Sequence, residues 1–254
     1  MLVELTDHVS HRPYPLPNGP WFMHQSWLDL LFAHWPVSAQ ELRPHIPDDL
    51  EIDTYNGTAW FSLVMFRMSG VRPRRLPSIP GLSSFPEVNL RTYVFPRNAG
   101  VHQPGVWFFS LDAHNRAAVA VARRVYHLPY FHADMSLTDT QLSILYESER
   151  THKHAPPAAL SAEYYPVDGI EYTLPGTLDH WVSERYCLYT TDRKGRLLQA
   201  QVHHLPWPLQ KADCQFHTNT MIEAAGLPLP FAAPLLHFAR RLDVLIWPMH
   251  RVEQ

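Results

Sequence analysis

Glu87, Asn89, Arg91 and Tyr93 occupy every second position of the segment Phe85–Val94, with Val88, Leu90, Thr92 and Val94 between them or after them. That alternation sets the four polar side chains on one face of a strand and the apolar ones on the other. The polar set has a definite chemistry. A guanidinium grips a carboxylate or phosphate with two parallel hydrogen bonds, and a glutamate serves as acid or base. Glu87 is therefore the candidate catalytic residue, with Arg91 and Tyr93 as candidate ligand-binding residues. Four strand residues separate Glu87 from Arg91, about 13 Å of rise, so the two do not make a tight local pair. The same pattern also describes a solvated outer face. The residues by themselves leave both readings open.

These side chains need elements to position them. Residues 11–21 are proline-rich and read as an extended arm. Gln25–Trp35 has Trp27, Leu28, Leu31 and Trp35 at helical spacing and reads as a helix ended by Pro36. Ser38-Ala-Gln-Glu41 is a capping box that opens a short second helix. Leu50–Tyr55 alternates as a strand, Asn56-Gly57 is a hairpin turn, and Thr58–Met68 returns as an aromatic-rich strand ending in the region of Arg67. Residues 70–84 form a long Pro/Arg/Ser-rich loop, a length often associated with function. The apolar run of Gly105–Ala113 reads as a strand buried on both faces, with Asp112 as a turn or cap residue. Asn115–Val125 is a short helix. Residues 131–150 are a strand pair, and Asp192–Gly195 turns between strands near 184–191 and 196–204. Thr177–Trp181 and part of 217–226 are short helices, and Leu235–Trp247 is a closing strand or helix-strand. Mostly strands with a few short helices predict a single α+β domain on a large antiparallel or barrel-like sheet.

Composition narrows the function classes. A chain of 254 residues can build a sizeable core, and 46% hydrophobic with 18% charged residues fits a soluble globular protein. The net charge of −3 comes with no basic block, which argues against nucleic acid as a partner. The N-terminus has no signal-peptide layout, and no apolar run reaches membrane-spanning length, so no membrane partner is expected. Cys187 and Cys214 form neither a metal pair nor a disulfide framework, in keeping with a reducing cytoplasm.

The motifs His34-Trp-Pro-Val37, Leu42-Arg-Pro-His-Ile-Pro47, Gly57-Thr-Ala-Trp60, Glu87-Val-Asn-Leu-Arg-Thr-Tyr-Val94 and Gly105-Val-Trp-Phe-Phe-Ser-Leu-Asp-Ala113, in this order, resemble the YqjF-like proteins, the DUF2071 family. The resemblance runs from about residue 20 to about 245 and leads to residues 1–20 as an arm and 21–254 as one domain. It implies a cytoplasmic bacterial protein with the acetoacetate decarboxylase-like fold, a mostly antiparallel sheet curled into an open barrel or cone around a pocket, and it implies no settled activity. The decarboxylases carry a Schiff-base lysine in a segment resembling Arg-Glu-x-x-Gly-Phe/Tyr-Pro-Lys. Here the similar segment is Arg123-Arg-Val-Tyr-His-Leu-Pro-Tyr130, and Tyr130 follows Pro129 where the lysine would stand. A glutamate on an earlier strand lines the decarboxylase pocket, and Glu87 resembles it.

The resemblance moves the polar strand face toward the wall of a cavity, with Tyr130 and His127 as further ligand-binding candidates at the helix-to-strand junction. Arg67 is a third, pairing with Glu87 or another carboxylate. The three lysines, Lys153, Lys194 and Lys211, all sit in polar stretches and read as solvated, so no imine chemistry is expected. Seventeen histidines carry no metal-type spacing, and adjacent His203 and His204 point to opposite strand faces. No cofactor and no metal are expected. Three readings follow: a pocket that binds a small anionic or carbonyl-bearing metabolite and acts on it without lysine, a binding or sensing module, and a structural or interaction protein whose cavity is plugged by Trp107, Phe109 and Tyr130. The apolar tail either closes the barrel or pairs with another subunit, which leaves a homo-oligomer open.

Overall fold

A computed structural model describes residues 5–97, 100 and 102–252. Thirteen strands form one branched sheet: β1 Met23–Val37, β2 Leu50–Ile52, β3 Ala59–Pro73, β4 Phe85–Pro96, β5 Gly105–Ala113, β6 Tyr130–Asp139, β7 Ile144–Arg150, β8 Ala159–Pro166, β9 Cys187–Thr191, β10 Leu197–His203, β11 Gln210–Asn219, β12 Leu235–Ile246 and β13 His250–Arg251. Among the described residues four short α-helices interrupt them: α1 Ala39–Leu42, α2 Arg116–Val125, α3 Leu178–Ser183 and α4 Met221–Ala224. The mixed, mostly antiparallel barrel and the few helices are the architecture expected from the sequence. Among the described residues no helix is long and apolar enough to cross a membrane.

The sheet forks twice. The early part of β5, Val106–Trp107, pairs with β9, while its end, Leu111–Ala113, pairs with β6, both in parallel. On β12, His237–Phe238 pair with β11 and Leu245–Ile246 pair with β10. Two closed circuits result. One runs β5-β6-β7-β8-β11-β12-β1-β3-β4, and the other β5-β9-β10-β12-β1-β3-β4. The strands β12, β1, β3, β4 and β5 are common to both, so each of their faces lines a different ring. Parallel strands need a crossover, and α2 supplies it between β5 and β6. Asn115 caps this helix by accepting from the Ala117 and Ala118 amides at 3.0 and 3.1 Å. The β5–β9 fork needs glycine at 105, because a Cβ there would lie 2.7 Å from the Cys187 carbonyl oxygen.

Sharing of strands explains the main departure from the sequence reading. Residues 25–35 are strand, not helix. From Asp29 to Trp35 every residue of β1 is buried, with Leu30 and Phe32 in one core and Leu31, Ala33 and Trp35 in the other. Apolar residues on both faces erase the period of two and leave accidental helical spacings. A bulge at Asp29, with φ of 53°, adds to the irregularity. The tail 235–246 is likewise a strand, and the loop after β3 begins only beyond Pro73. The proline-rich arm is held down. Arg12 donates to the Val202 carbonyl at 2.7 Å, and Tyr14 is buried against Tyr186 and Tyr189.

Candidate functional site

The period of β4 falls across the two rings. Val88 and Leu90 enter the dry core with Leu63, Met65 and Tyr146. Glu87, Asn89 and Arg91 line a cavity of about 350 Å³ in the other ring. That volume suits a small metabolite. The remaining wall is chiefly apolar, with Leu30, Phe32, Val64, Phe66, Leu111 and Trp207 among its residues, and Ala118, Val121 and Ala122 of α2 cover one side. Trp107 and Phe109 pack into a separate cluster and do not plug the cavity, whereas Phe108 and Tyr130 line it.

Glu87 is 2% exposed and accepts a hydrogen bond from the Tyr130 hydroxyl at 2.7 Å. Burial raises its carboxyl to about 7, against the lowering effect of its bonds with Tyr130 and Asn89, and the nearby Asp112 charge adds to the rise. Burial, and then the glutamate beside it, hold the Tyr130 phenol far above its ordinary value, so it remains a donor. Glu87 can thus exchange a proton near neutral pH, the property of a general acid or base.

The rise has a stability consequence. Between an ordinary value of 4.5 and about 7, the folded chain keeps a proton on Glu87 that the unfolded chain has released. This contribution is complete below the unfolded value and disappears as pH climbs through about 7. It amounts to roughly 3 kcal/mol. Urea midpoints of the native protein are expected to fall between pH 5 and 8 by more than those of Glu87→Gln. Parallel pH profiles for the two proteins would refute the assignment.

Arg91 is 8% exposed, and among the described residues it makes no ion pair. Its Nε has no hydrogen-bond partner, nor has the Oδ1 of Asn89, two residues earlier in the row. The guanidinium lies 5.3 Å from the Phe32 ring centroid, and burial lowers its pKa. Arg185, just beyond α3, joins it on the cavity wall. Arg185 is tied to Asp53 at 2.5 Å and stacked on Trp181, and its Nη2 is left without a partner. One end of the β4 row is therefore cationic, and the other carries the titratable carboxyl.

Of the sequence-derived candidates, Glu87, Arg91 and Tyr130 meet in the cavity, and three do not. Tyr93 stays on the same face, since the extra residue at the Leu90/Arg91 shift lies on β5, but past Arg91 it packs with Val106 and Val182 and does not line the cavity; its hydroxyl bonds Ser62 Oγ at 2.5 Å and His34 Nδ1 at 3.0 Å. Arg67 follows the cavity-facing Phe66, so alternation sends it to the other face, where it pairs with Asp29 at 3.0 Å and not with Glu87. His127 occupies the position of glycine in the decarboxylase pattern and adopts the left-handed geometry that ends α2, φ 53°. Its side chain lines an open hollow on the other side of that helix. Asp112 is no turn residue. It is buried in a bidentate pair with Arg150, both bonds at 2.7 Å. Arg185 and Gln25, which the sequence reading passed over, line the cavity together with His204. His203 and His204 do diverge, His203 toward the arm and His204 toward the cavity. None of the three lysines lines the cavity. Among the described residues no three His, Cys, Asp or Glu side chains gather in a metal-like group.

Residues 24–243 match the family model DUF2071, an uncharacterized conserved protein. The chain is 45% identical over 247 residues to the uncharacterized protein YqjF of Bacillus subtilis (strain 168), covering 97% of this chain and 99% of that one. Among solved structures it is similar to the enduracididine biosynthesis enzyme MppR, with a TM-score of 0.63 at 11% identity over 92% of this chain and 89% of that one. MppR has also been solved complexed with pyruvate. A second likeness is to acetoacetate decarboxylase from Legionella pneumophila, with a TM-score of 0.56 at 13% identity over 98% and 95% of the two chains. At these identities the two solved structures share the fold with this chain.

Proposed function

The chain belongs to the DUF2071 family, and from that premise we propose that its cavity takes a small carbonyl-bearing carboxylate and moves a proton on the carbon beside the carbonyl. One observation carries this reading: Arg91 is buried without a carboxylate of the protein's own, in the same strand row as an acid that titrates near pH 7. Burying an unpaired cation costs several kcal/mol, and a ligand carboxylate offsets that cost. With the ligand's carboxylate at Arg91, its carbonyl lies toward Asn89 and its reactive carbon toward Glu87. The Glu87 carboxylate takes the proton from that carbon. The C–H electron pair becomes the C=C bond of an enolate, and the carbonyl pair moves onto oxygen, where the Asn89 amide donates. Return of the proton restores the carbonyl compound. With Tyr130 after Pro129 and no lysine in the cavity wall, the step proceeds without an imine. The complex of MppR with pyruvate supports a 2-oxo acid as the probe.

Pyruvate incubated with the protein in heavy water is expected to exchange its methyl protons for deuterium, followed by proton NMR. Glu87→Gln should slow the enzyme-dependent exchange by a factor of about 100 or more, the usual worth of a general base. Saturable binding without exchange would mean a binding module that never turns its ligand over. Absence of both would overturn the reading. Borohydride added with acetoacetate is expected to leave the intact mass unchanged, and a stoichiometric adduct on Lys153, Lys194 or Lys211 would overturn the imine-free step.

A further inference from the structure

The helix α2 divides two concavities. Ala117, Ala118, Val121 and Ala122 face the cavity, while Arg116, Ala120, Arg123 and Arg124 fall on the opposite face at helical spacing. That second face walls an open hollow of about 900 Å³. Five cations surround it: Arg116, Arg123, Arg124, Lys153 and Arg193. Among the described residues none of the five makes an ion pair. The one carboxylate on the described lining, Asp192, is already engaged by the Arg196 guanidinium at 2.6 Å and the Lys194 amide at 2.8 Å. Like charges gathered in one concavity repel one another and focus a positive potential.

The uncharged lining completes a recognition surface. His132 accepts from Arg116 Nε at 3.3 Å and bonds Thr151 at 2.8 Å, and His152 accepts from the His132 amide at 3.1 Å. The Phe131 ring forms an apolar floor, with the Arg150 and Arg123 guanidinium carbons 4.1 and 5.6 Å from its centroid. We propose that this hollow is a second ligand site, for a small molecule carrying two or more phosphate groups. Five cations spread around one concavity exceed what a single carboxylate can engage, and arginine forks match phosphate oxygens in pairs. The apolar floor accepts the organic part of such a ligand. A chain with a net charge of −3 and a concave, local basic surface does not present the extended track that a nucleic acid follows. The site lies one helix away from the acid of the first cavity. Leu128 lines both concavities, and Arg123 donates to the Tyr130 carbonyl at 2.5 Å.

Titration calorimetry of the full chain with inorganic pyrophosphate at low ionic strength tests the site. Saturable binding is expected, at least tenfold weaker in the triple variant Arg124→Gln/Lys153→Gln/Arg193→Gln. These three side chains are exposed and make no side-chain hydrogen bond among the described residues, so circular dichroism of the variant should match that of the native protein. Citrate is expected to bind at least tenfold more weakly than pyrophosphate. The proposal falls if pyrophosphate gives no saturable heat, if the triple variant binds it equally well, or if citrate equals it. It falls equally if Arg91→Gln abolishes the binding, which would put the anion in the first cavity, or if single-stranded RNA outcompetes pyrophosphate for the same residues.

Discussion

Arg91→Met is expected to weaken pyruvate binding about a hundredfold while raising the melting temperature by a few degrees. The two effects have one cause. A buried guanidinium stripped of water and given no carboxylate partner is a cost to the empty protein. Methionine fills similar space without a charge, and relief of about 1 kcal/mol shifts the midpoint of a chain of this size by roughly 2–4 °C. The ligand's carboxylate loses its partner in the same substitution, and truncating a buried charge pair costs about 2–5 kcal/mol of affinity, of which 2.7 kcal/mol is already a hundredfold. Calorimetry and differential scanning measure the pair of changes together. A variant that is less stable and binds pyruvate normally would show that Arg91 is structural.

The second large effect lies on the other side of β5. Arg150→Ala is expected to lose about 3–5 kcal/mol of stability, the cost of stranding a buried charge. Asp112 and Arg150 are both almost completely withdrawn from solvent and joined by two 2.7 Å hydrogen bonds. They clamp β5 to β7 across β6. Burial raises the Asp112 carboxyl, more than the bonds from Arg150 lower it. The pair is therefore costly to bury even when intact. Removing both charges, as in Asp112→Leu/Arg150→Met, is expected to recover most of the loss, because no uncompensated charge remains. Urea denaturation of the two variants decides this. A double variant as unstable as the single one would mean that the charges themselves hold the strands together.

Much of this protein is legible in short stretches of chain, where neighbours in sequence are neighbours in space. The Asn56-Gly57 turn sits between β2 and β3 and is closed by Tyr55 and Thr58, which pair directly, although the two strands do not go on to form a hairpin, since β2 pairs with β4. Ser38 caps α1 and Asn115 caps α2, as their side-chain chemistry requires. The alternation of β4 was readable for the same reason. Arg185 was not, since it follows a short helix with no periodic pattern and reaches the cavity only through its stacking on Trp181 and its pair with the distant Asp53.

Local residue order was enough to show that β4 has two unlike faces, that Glu87, Asn89 and Arg91 share one of them, and that a tyrosine follows Pro129. That this face encloses a void, and that Tyr93 is packed beyond the end of it, came from long-range pairing. Long-range pairing likewise made β1 a strand with a core on each side. The physical reason is the pair of forks at β5 and β12. Period two distinguishes the faces of a strand, but which face meets a cavity depends on how the circuits close, and that rests on pairings such as Val106 with Leu188 and Val202 with Ile246.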